Sequence, residues 1–126
     1  KNILLQTDLC EQAEAVVDEN QIYQVLLNLV TNAVQAIDSQ GTITIKTAVR
    51  EGHVIVTVQD TGSGIAADIR DRIFEPFFTT RAQGTGLGLA IVKKFIESNN
   101  GSVAVTDGAG RGAAFSITLP AVQQNS

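Results

Sequence analysis

The glycine-rich stretch from position 83 to 89 constrains the fold more than any other part of the sequence. It reads Gln-Gly-Thr-Gly-Leu-Gly-Leu. Glycine allows close approach of the backbone to a ligand and positive φ where a turn needs it. From Leu87 the apolar residues Ile91, Phe95 and Ile96 recur at helical spacing, which predicts a helix. Such a loop before a helix N-terminus is a typical phosphate site, because free N–H groups and the helix dipole favour anions. A flexible turn with the glycines as spacers is the alternative.

The standard phosphate-binding motifs do not match this stretch. No Gly-Lys-Ser or Gly-Lys-Thr follows the glycines, so it is not a P-loop. The dinucleotide fingerprint requires Gly-x-Gly-x-x-Gly directly after a strand, whereas position 89 is leucine and the preceding residues are polar. A different nucleotide-binding architecture is therefore indicated.

Composition predicts one domain, residues 1–126, belonging to a longer protein. The chain is 44% hydrophobic and 17% charged, as expected for a globular domain. A net charge of −4 and a pI of about 4.8 argue against nucleic acid as a main partner, because phosphate backbones attract basic surfaces. The single cysteine, Cys10, excludes an internal disulfide and fits a reducing compartment. No apolar run approaches the roughly 18 residues of a membrane span, so the domain is expected to be cytoplasmic.

Sequence periodicity predicts alternating strands and helices. Strands are expected at 3–5, 13–17, 42–49, 53–59, 102–106 and 114–119. Helices are expected at about 19–37, with Asp18 as N-cap, at about 67–73, and from Leu87 to a cap at Asn99-Asn100-Gly101. His53, the only histidine, falls beside a predicted turn and is expected in an exposed loop.

An uncharged amide stripe runs along the predicted helix at 19–37. At 100° per residue its members fall within about 80° of one another. They are Gln21, Gln24, Asn28, Asn32 and Gln35. An exposed helix face normally carries lysine and glutamate, so we expect this stripe to face a cavity, with an exposed polar face as the alternative. Asn28 and Asn32 lie one turn apart, and their carbonyl oxygens suit Mg²⁺.

The predicted strand at 53–59 leads into Asp60-Thr61-Gly62-Ser63-Gly64-Ile65. A carboxylate at this position can accept a hydrogen bond from the amino group of adenine, while the loop packs beneath the ring. An Asx-type turn is the alternative. Next comes Phe74-Glu75-Pro76-Phe77-Phe78, whose phenylalanines are expected to anchor the loop in the core. A polar link at 79–83, with Arg81 as its only charge, joins it to the glycine-rich stretch.

Four sequence blocks in this order resemble the N, G1, F and G2 boxes of the catalytic, ATP-binding domain of bacterial sensor histidine kinases. They are Asn-Leu-Val-Thr-Asn-Ala (28–33), Asp-Thr-Gly-Ser-Gly (60–64), Arg-Ile-Phe-Glu-Pro-Phe-Phe-Thr-Thr-Arg (72–81) and Gly-Thr-Gly-Leu-Gly-Leu (84–89). That domain shares a superfamily with DNA gyrase, the ninety-kilodalton heat-shock chaperone and the mismatch-repair ATPases. The resemblance covers nearly the whole chain, and the compact lid resembles kinases of the nitrogen-regulation type.

The resemblance implies an α+β fold, a two-layer α/β sandwich of the Bergerat type, with a mixed, mostly antiparallel sheet packed on three helices. It implies that Asn32 holds Mg²⁺, that Asn28 assists at the metal or phosphates, and that Asp60 accepts the adenine amine. Asn28 and Arg81 are the implied catalytic residues. The remaining implied ATP contacts are Gly62, Gly64, Ile65, Phe78, Arg81, Gly84, Thr85, Gly86, Leu87 and Gly88.

The implied activity is that of an ATP-dependent protein histidine kinase in two-component signal transduction. The histidine that receives the γ-phosphate would lie on a separate dimerisation domain, and a response regulator would act downstream. The full-length protein is expected to be a homodimer, whether or not a membrane anchors it. Self-contained ATP hydrolases and serine kinases of the superfamily instead have a glutamate where Asn28 stands, and an amide cannot act as a base. A non-catalytic nucleotide-sensing module is the third possibility.

Overall fold

The computed structural model of the chain describes residues 1–11, 13–78, 87–108 and 112–122. Within these residues there are five strands, two α-helices and one short 3₁₀ helix. In chain order they are β1 (Asn2–Asp8), α1 (Glu19–Ala36), β2 (Gln40–Arg50), β3 (His53–Asp60), the 3₁₀ helix (Ala67–Ile69), α2 (Gly88–Ser98), β4 (Ser102–Asp107) and β5 (Ala113–Pro120).

The five strands form one mixed sheet in the order β1-β2-β3-β5-β4. β1 runs parallel to β2, because α1 connects them as a crossover, and the other three pairings are antiparallel. The predicted α+β fold with a mostly antiparallel sheet is therefore confirmed. The helices pack on the sheet through a continuous apolar core. Its most buried members include Val25, Leu29, Val92, Ile96, Phe115 and Ile117.

Helix α1 forms where the sequence predicts it. The Asp18 side chain accepts a hydrogen bond from the backbone N–H of Gln21 at 3.1 Å, which satisfies one free donor of the first turn. Val25 and Leu29, one turn apart, are completely buried. The helix ends one residue before the predicted Ile37, which is its C-cap. A local cap and an apolar stripe therefore account for both the position and the orientation of α1.

The hairpin of β2 and β3 closes through a two-residue turn at Glu51 and Gly52. Both residues have positive φ, 52° and 80°, as in the primed turns whose twist matches that of paired strands. His53 is the first residue of β3 and pairs with Arg50 of β2. It is exposed, as expected, and its Nδ1 lies 3.1 Å from the carbonyl oxygen of Glu51.

Helix α2 ends in a Schellman motif. Asn100 adopts a left-handed φ of 62°. Its N–H donates to the carbonyl of Glu97 at 3.1 Å, and the N–H of Gly101 donates to that of Ile96 at 2.9 Å. The predicted left-handed cap is confirmed, with asparagine in the left-handed position.

The strand predicted at 13–17 is wrong. Ala15 makes a single bridge to Ala121, the N–H of Val122 donates to the carbonyl of Glu14 at 2.7 Å, and Val16 is 80% exposed. Both edges of β5 are already paired, with β3 and with β4. The long-range backbone contacts of this segment are therefore with the chain at the end of β5 and beyond it.

The helix predicted at 67–73 is shorter than expected. The 3₁₀ helix covers three residues, Ala67–Ile69, and is followed by turns. Backbone N–H groups at 69, 72, 75 and 78 donate to the carbonyl oxygens three residues earlier. These repeated three-residue turns continue the chain to Phe78, and no α-helix forms directly before Pro76.

Candidate functional site

Asp60 is a buried carboxylate at the end of β3, with 1% of its surface exposed. Its Oδ1 accepts the N–H of Gly62 at 2.8 Å and the N–H of Ala113 at a longer 3.4 Å. The bond to Gly62 is the Asx-type turn considered as an alternative, but it uses only Oδ1. Among the described residues, no hydrogen bond ends on Oδ2. The carboxylate is therefore fixed in orientation through one oxygen and keeps acceptor capacity on the other.

Two glycines allow the backbone to pack tightly around Asp60. A Cβ at Gly62 would collide with the carbonyl oxygen of Ala36, at the end of α1. A Cβ at Gly112 would collide with the carbonyl oxygen of Asp60 itself. The N–H of Ser63 also donates to the Ala36 carbonyl, at 3.1 Å. The loop after Asp60 is thus held between α1 and the start of β5, and sequence analysis did not assign Gly112 to it.

The predicted residues Gly64 and Ile65 lie in this same loop. Gly64 has a left-handed φ of 76°, which only glycine adopts readily. The carbonyl of Ile65 accepts a hydrogen bond from Nε of Arg70 at 3.3 Å. The Arg70 guanidinium also pairs with Asp107 at the end of β4. Arg70 therefore connects the loop to β4 at the edge of the sheet. The sequence spacing did not predict this contact.

The three phenylalanines at 74, 77 and 78 have different environments. Phe74 packs edge-on against Phe115, with ring centroids 6.2 Å apart and planes at 89°. Phe78 packs against the core, and the Arg72 guanidinium lies 4.7 Å from its ring centroid. Phe77 has a left-handed φ of 66° and is 74% exposed. Two of them anchor the segment, as expected, but the anchor prediction is wrong for Phe77 because its backbone conformation turns the ring outward.

The first half of the amide stripe of α1 makes hydrogen bonds to both ends of α2. Nε2 of Gln24 donates to Oδ1 of Asn28 at 2.8 Å, and Nδ2 of Asn28 donates to the carbonyl of Gly88 at 3.1 Å. One turn earlier, Oε1 of Gln21 accepts from Nδ2 of Asn99 at 2.9 Å. We call these four side chains, Gln21, Gln24, Asn28 and Asn99, the amide seam. Gln21 therefore contacts the end of α2 and not a cavity, whereas Asn28 is hydrogen-bonded to the first residue of α2.

Asn32 lies one turn beyond Asn28 on the same side of α1 and is half-buried. The seam joins this part of α1 to the first residue of α2, Gly88, which is the last glycine of the glycine-rich stretch. Leu87 occupies the N-cap position of α2, and its carbonyl accepts the N–H of Ile91 at 3.0 Å. Asn28 is therefore hydrogen-bonded to Gly88, and Leu87 directly precedes that glycine.

Part of the predicted site lies outside the described residues. Arg81, Gly84, Thr85 and Gly86 fall there, as does the polar link at 79–83, and their roles stay predictions. In the part of the chain that the structure describes, no three or more His, Cys, Asp or Glu side chains form a cluster suited to a metal. No helix among the described residues is long and apolar enough to cross a membrane.

Comparison with known proteins identifies the family. Residues 17–123 match the model of the family described as Histidine kinase-, DNA gyrase B-, and HSP90-like ATPase. The sensor histidine kinase ZraS of Salmonella typhi is 50% identical over 107 residues, which are 83% of this chain and 23% of that protein. Sporulation kinase E of Bacillus subtilis (strain 168) is 40% identical, over 99% of this chain and 17% of that protein. The chain thus spans less than a quarter of the length of these relatives.

Solved structures agree with this assignment. The catalytic domain of histidine kinase ThkA, in a nucleotide-free form, superposes with a TM-score of 0.87 at 36% identity, covering 95% of this chain and 80% of that one. The mycobacterial sensor histidine kinase MprB gives a TM-score of 0.88 at 27% identity, covering 97% of this chain and 86% of that chain. The similarity therefore extends over nearly the whole fold described above.

Proposed function

Because the chain belongs to the histidine kinase-, DNA gyrase B- and HSP90-like ATPase family, we propose that it is the catalytic domain of a sensor histidine kinase. The ATPase domain implies ATP binding. In this proposal the chain binds ATP with Mg²⁺ and donates the γ-phosphate to a histidine on a separate dimerisation domain of its parent protein. That parent would be a homodimer, and the phosphohistidine would then supply a response regulator.

The environment of Asp60 supports adenine recognition. Burial and the hydrogen bond from the Gly62 N–H hold the carboxylate in one orientation. Its second oxygen can accept the exocyclic amine of adenine, which guanine replaces with a carbonyl oxygen. A carbonyl oxygen cannot donate, so this arrangement would favour adenine over guanine nucleotides. Gly62 and Gly64 would allow the loop to lie flat beneath the base.

The asparagines of α1 fit a magnesium ion that is held mainly by phosphate oxygens. Mg²⁺ prefers octahedral oxygen ligands and usually keeps several waters in nucleotide sites. An amide oxygen has two lone pairs, so Oδ1 of Asn28 can accept from Gln24 and still face a cation. Asn32, one turn away, would supply the second amide oxygen. When bound, the metal would neutralise charge on the phosphates.

The choice of a kinase over a hydrolase rests on the chemistry and the hydrogen bonds of Asn28. Its amide donates to the Gly88 carbonyl and accepts from Gln24, and an amide cannot take a proton from water. An imidazole needs no such base, since it is neutral for a good fraction of the time near pH 7. In the transfer, an imidazole nitrogen forms a bond to the γ-phosphorus as the bond to the bridging oxygen breaks. ADP leaves, and the imidazole N–H proton passes to solvent.

A phosphotransfer assay tests the proposal. The chain is incubated with γ-labelled ATP, Mg²⁺ and the phosphoacceptor domain of its parent protein. We expect label on the acceptor that is labile in acid and stable in base, as a phosphoramidate is. An acceptor with its histidine replaced by glutamine is the control and should stay unlabelled. Rapid release of phosphate with an unlabelled acceptor would instead identify a self-contained hydrolase, and acid-stable label would identify a serine kinase.

A further inference from the structure

The geometry points to Gln24 as a positioning residue for nucleotide binding, acting through Asn28. The inference rests on the proposed function, because it concerns the metal-dependent part of ATP binding. Gln24 lies one turn before Asn28 on α1 and is half-buried. The hydrogen bond described for the Gln24 side chain is the one that it donates to Asn28. Gln24 would influence the bound nucleotide only through that neighbour.

A hydrogen-bonded relay fixes which way the Asn28 amide faces. The Gly88 carbonyl can only accept, so the NH₂ group of Asn28 must face it, at 3.1 Å. The oxygen of Asn28 then faces Gln24, whose NH₂ group donates to it at 2.8 Å. Rotating the Asn28 amide by half a turn would place two oxygens together at Gly88 and two NH₂ groups together at Gln24. Each bond therefore supports the other, and Asn28 has one preferred orientation.

This orientation matters for two parts of the site at once. It leaves the second lone pair of the Asn28 oxygen available to a cation. It also attaches α1 to Gly88, the first residue of α2 and the last glycine of the glycine-rich stretch. Without Gln24, the Asn28 amide would lose one of its two described hydrogen bonds and keep the one to the Gly88 carbonyl. The contribution of Mg²⁺ to ATP affinity would then depend on Gln24, acting through its hydrogen bond to Asn28.

The test compares substitutions at Gln24 with matched ones at Gln21, the other α1 glutamine of the amide seam. The measured quantity is the ratio of the ATP dissociation constant in EDTA to that in Mg²⁺, obtained by calorimetric titration of the chain. Gln24→Ala removes one hydrogen bond, so we expect the ratio to fall roughly three- to tenfold. Gln21→Ala removes a bond of similar length, to Asn99, at the opposite end of the seam. It is expected to lower stability but to leave the ratio within about twofold.

Glutamate substitutions separate orientation from shape. Gln24→Glu preserves the size of the side chain, but an ionised carboxylate cannot donate to the Asn28 oxygen. If Gln24 orients Asn28, the ratio should fall further than it does for Gln24→Ala. If Gln24 only fills space, the ratio should fall less. Gln21→Glu is the charge control, because Gln21 accepts its bond from Asn99 and a carboxylate can do the same. It should again leave the ratio within about twofold, which would exclude simple charge repulsion as the cause.

A double substitution tests whether Gln24 acts through Asn28. In an Asn28→Ala background, Gln24→Ala should change the ratio by less than about twofold, because the residue it orients is gone. Equal effects of Gln24→Ala in both backgrounds, or a Gln24→Glu variant close to wild type, would overturn the inference. A wild-type chain that binds ATP no better in Mg²⁺ than in EDTA would overturn the proposed metal site instead. Urea midpoints, measured for every variant, confirm that the folded protein is being compared.

Discussion

The side-chain oxygen of Asn99 accepts the backbone N–H of Asp18 at 2.8 Å, although 81 residues separate them. The end of α2 is thereby attached to the residue that caps the start of α1. The NH₂ group of Asn99 donates to Gln21 at 2.9 Å and to the carbonyl of Phe95 at 2.7 Å. Asn99 is 8% exposed, so its hydrogen bonds satisfy a polar group that the core would otherwise leave without water.

Asn99→Ala should destabilise the chain by about 2 to 4 kcal/mol. The substitution removes the three hydrogen bonds of the Asn99 side chain, and each contributes about 0.5 to 1.5 kcal/mol net. Urea unfolding followed by circular dichroism measures the change. Asn100→Gly is the matched control, because Asn100 is exposed and its left-handed φ suits glycine. A control variant as unstable as Asn99→Ala would show that the helix end, and not the Asn99 contacts, is responsible.

Gly112→Ala should destabilise the protein by at least about 2 kcal/mol and disturb the Asp60 loop. The added Cβ would meet the Asp60 carbonyl, so either β5 or the end of β3 must shift. Thermal unfolding provides the measurement. Gly88→Ala is the comparison, since a Cβ there meets no atom within 4 Å in the described structure and alanine favours a helix. Its melting temperature should not fall, and a loss equal to that of Gly112→Ala would contradict the steric explanation.

Asp60→Asn should weaken ATP binding roughly ten- to a hundredfold while preserving the fold. A hydrogen bond to a charged group contributes about 1.5 to 3 kcal/mol. The amide oxygen can still accept the N–H groups of Gly62 and Ala113. The NH₂ group then stands where the second oxygen would accept the adenine amine, and an NH₂ group cannot accept that hydrogen bond. Titration with ATP and GTP measures this effect, and Asp8→Asn, at an exposed carboxylate at the end of β1, is the control. ATP and GTP affinities that fall equally would exclude Asp60 as the group that recognises adenine.

The isolated chain should hydrolyse ATP well below about 1 s⁻¹, the lower end of ordinary enzyme turnover. The reason is that Asn28 stands where the hydrolases of this superfamily have a glutamate. A coupled assay for ADP release at saturating Mg²⁺ and ATP gives the rate. The same assay on Asp60→Asn measures the hydrolysis that comes from contaminating enzymes. Multiple turnovers each second that disappear in Asp60→Asn would refute the prediction.

Local sequence information was sufficient for several elements and for part of the site. Helix α1 could be predicted because Asp18 and the apolar stripe lie within the segment they define. The β2–β3 hairpin could be predicted because Gly52 permits its tight turn. Asp60 could be singled out because it ends a predicted strand, two glycines follow it closely, and a carboxylate there can accept a hydrogen bond from a ligand. In each case the determining residues are close together in the chain.

Long-range contacts could not be predicted in the same way. The bonds of Asn99 to Gln21 and to Asp18 join residues 78 and 81 positions apart. The residues at 13–17 have the composition of a strand, but β5, beside whose end they lie, is already paired with β3 and with β4. The amide stripe was correctly recognised as unusual. Its partner is the helix α2, which a periodicity within α1 cannot identify.

The amide seam contains no group that gains or loses a proton and none with a net charge. Its hydrogen bonds should therefore be the same in acidic and in alkaline buffer, and dissolved salt has no charge there to screen. The contact between α1 and α2 would stay constant while the ionic strength of the solution varies widely. Any dependence of nucleotide affinity on salt would then report the phosphate contacts themselves, free of a contribution from helix packing.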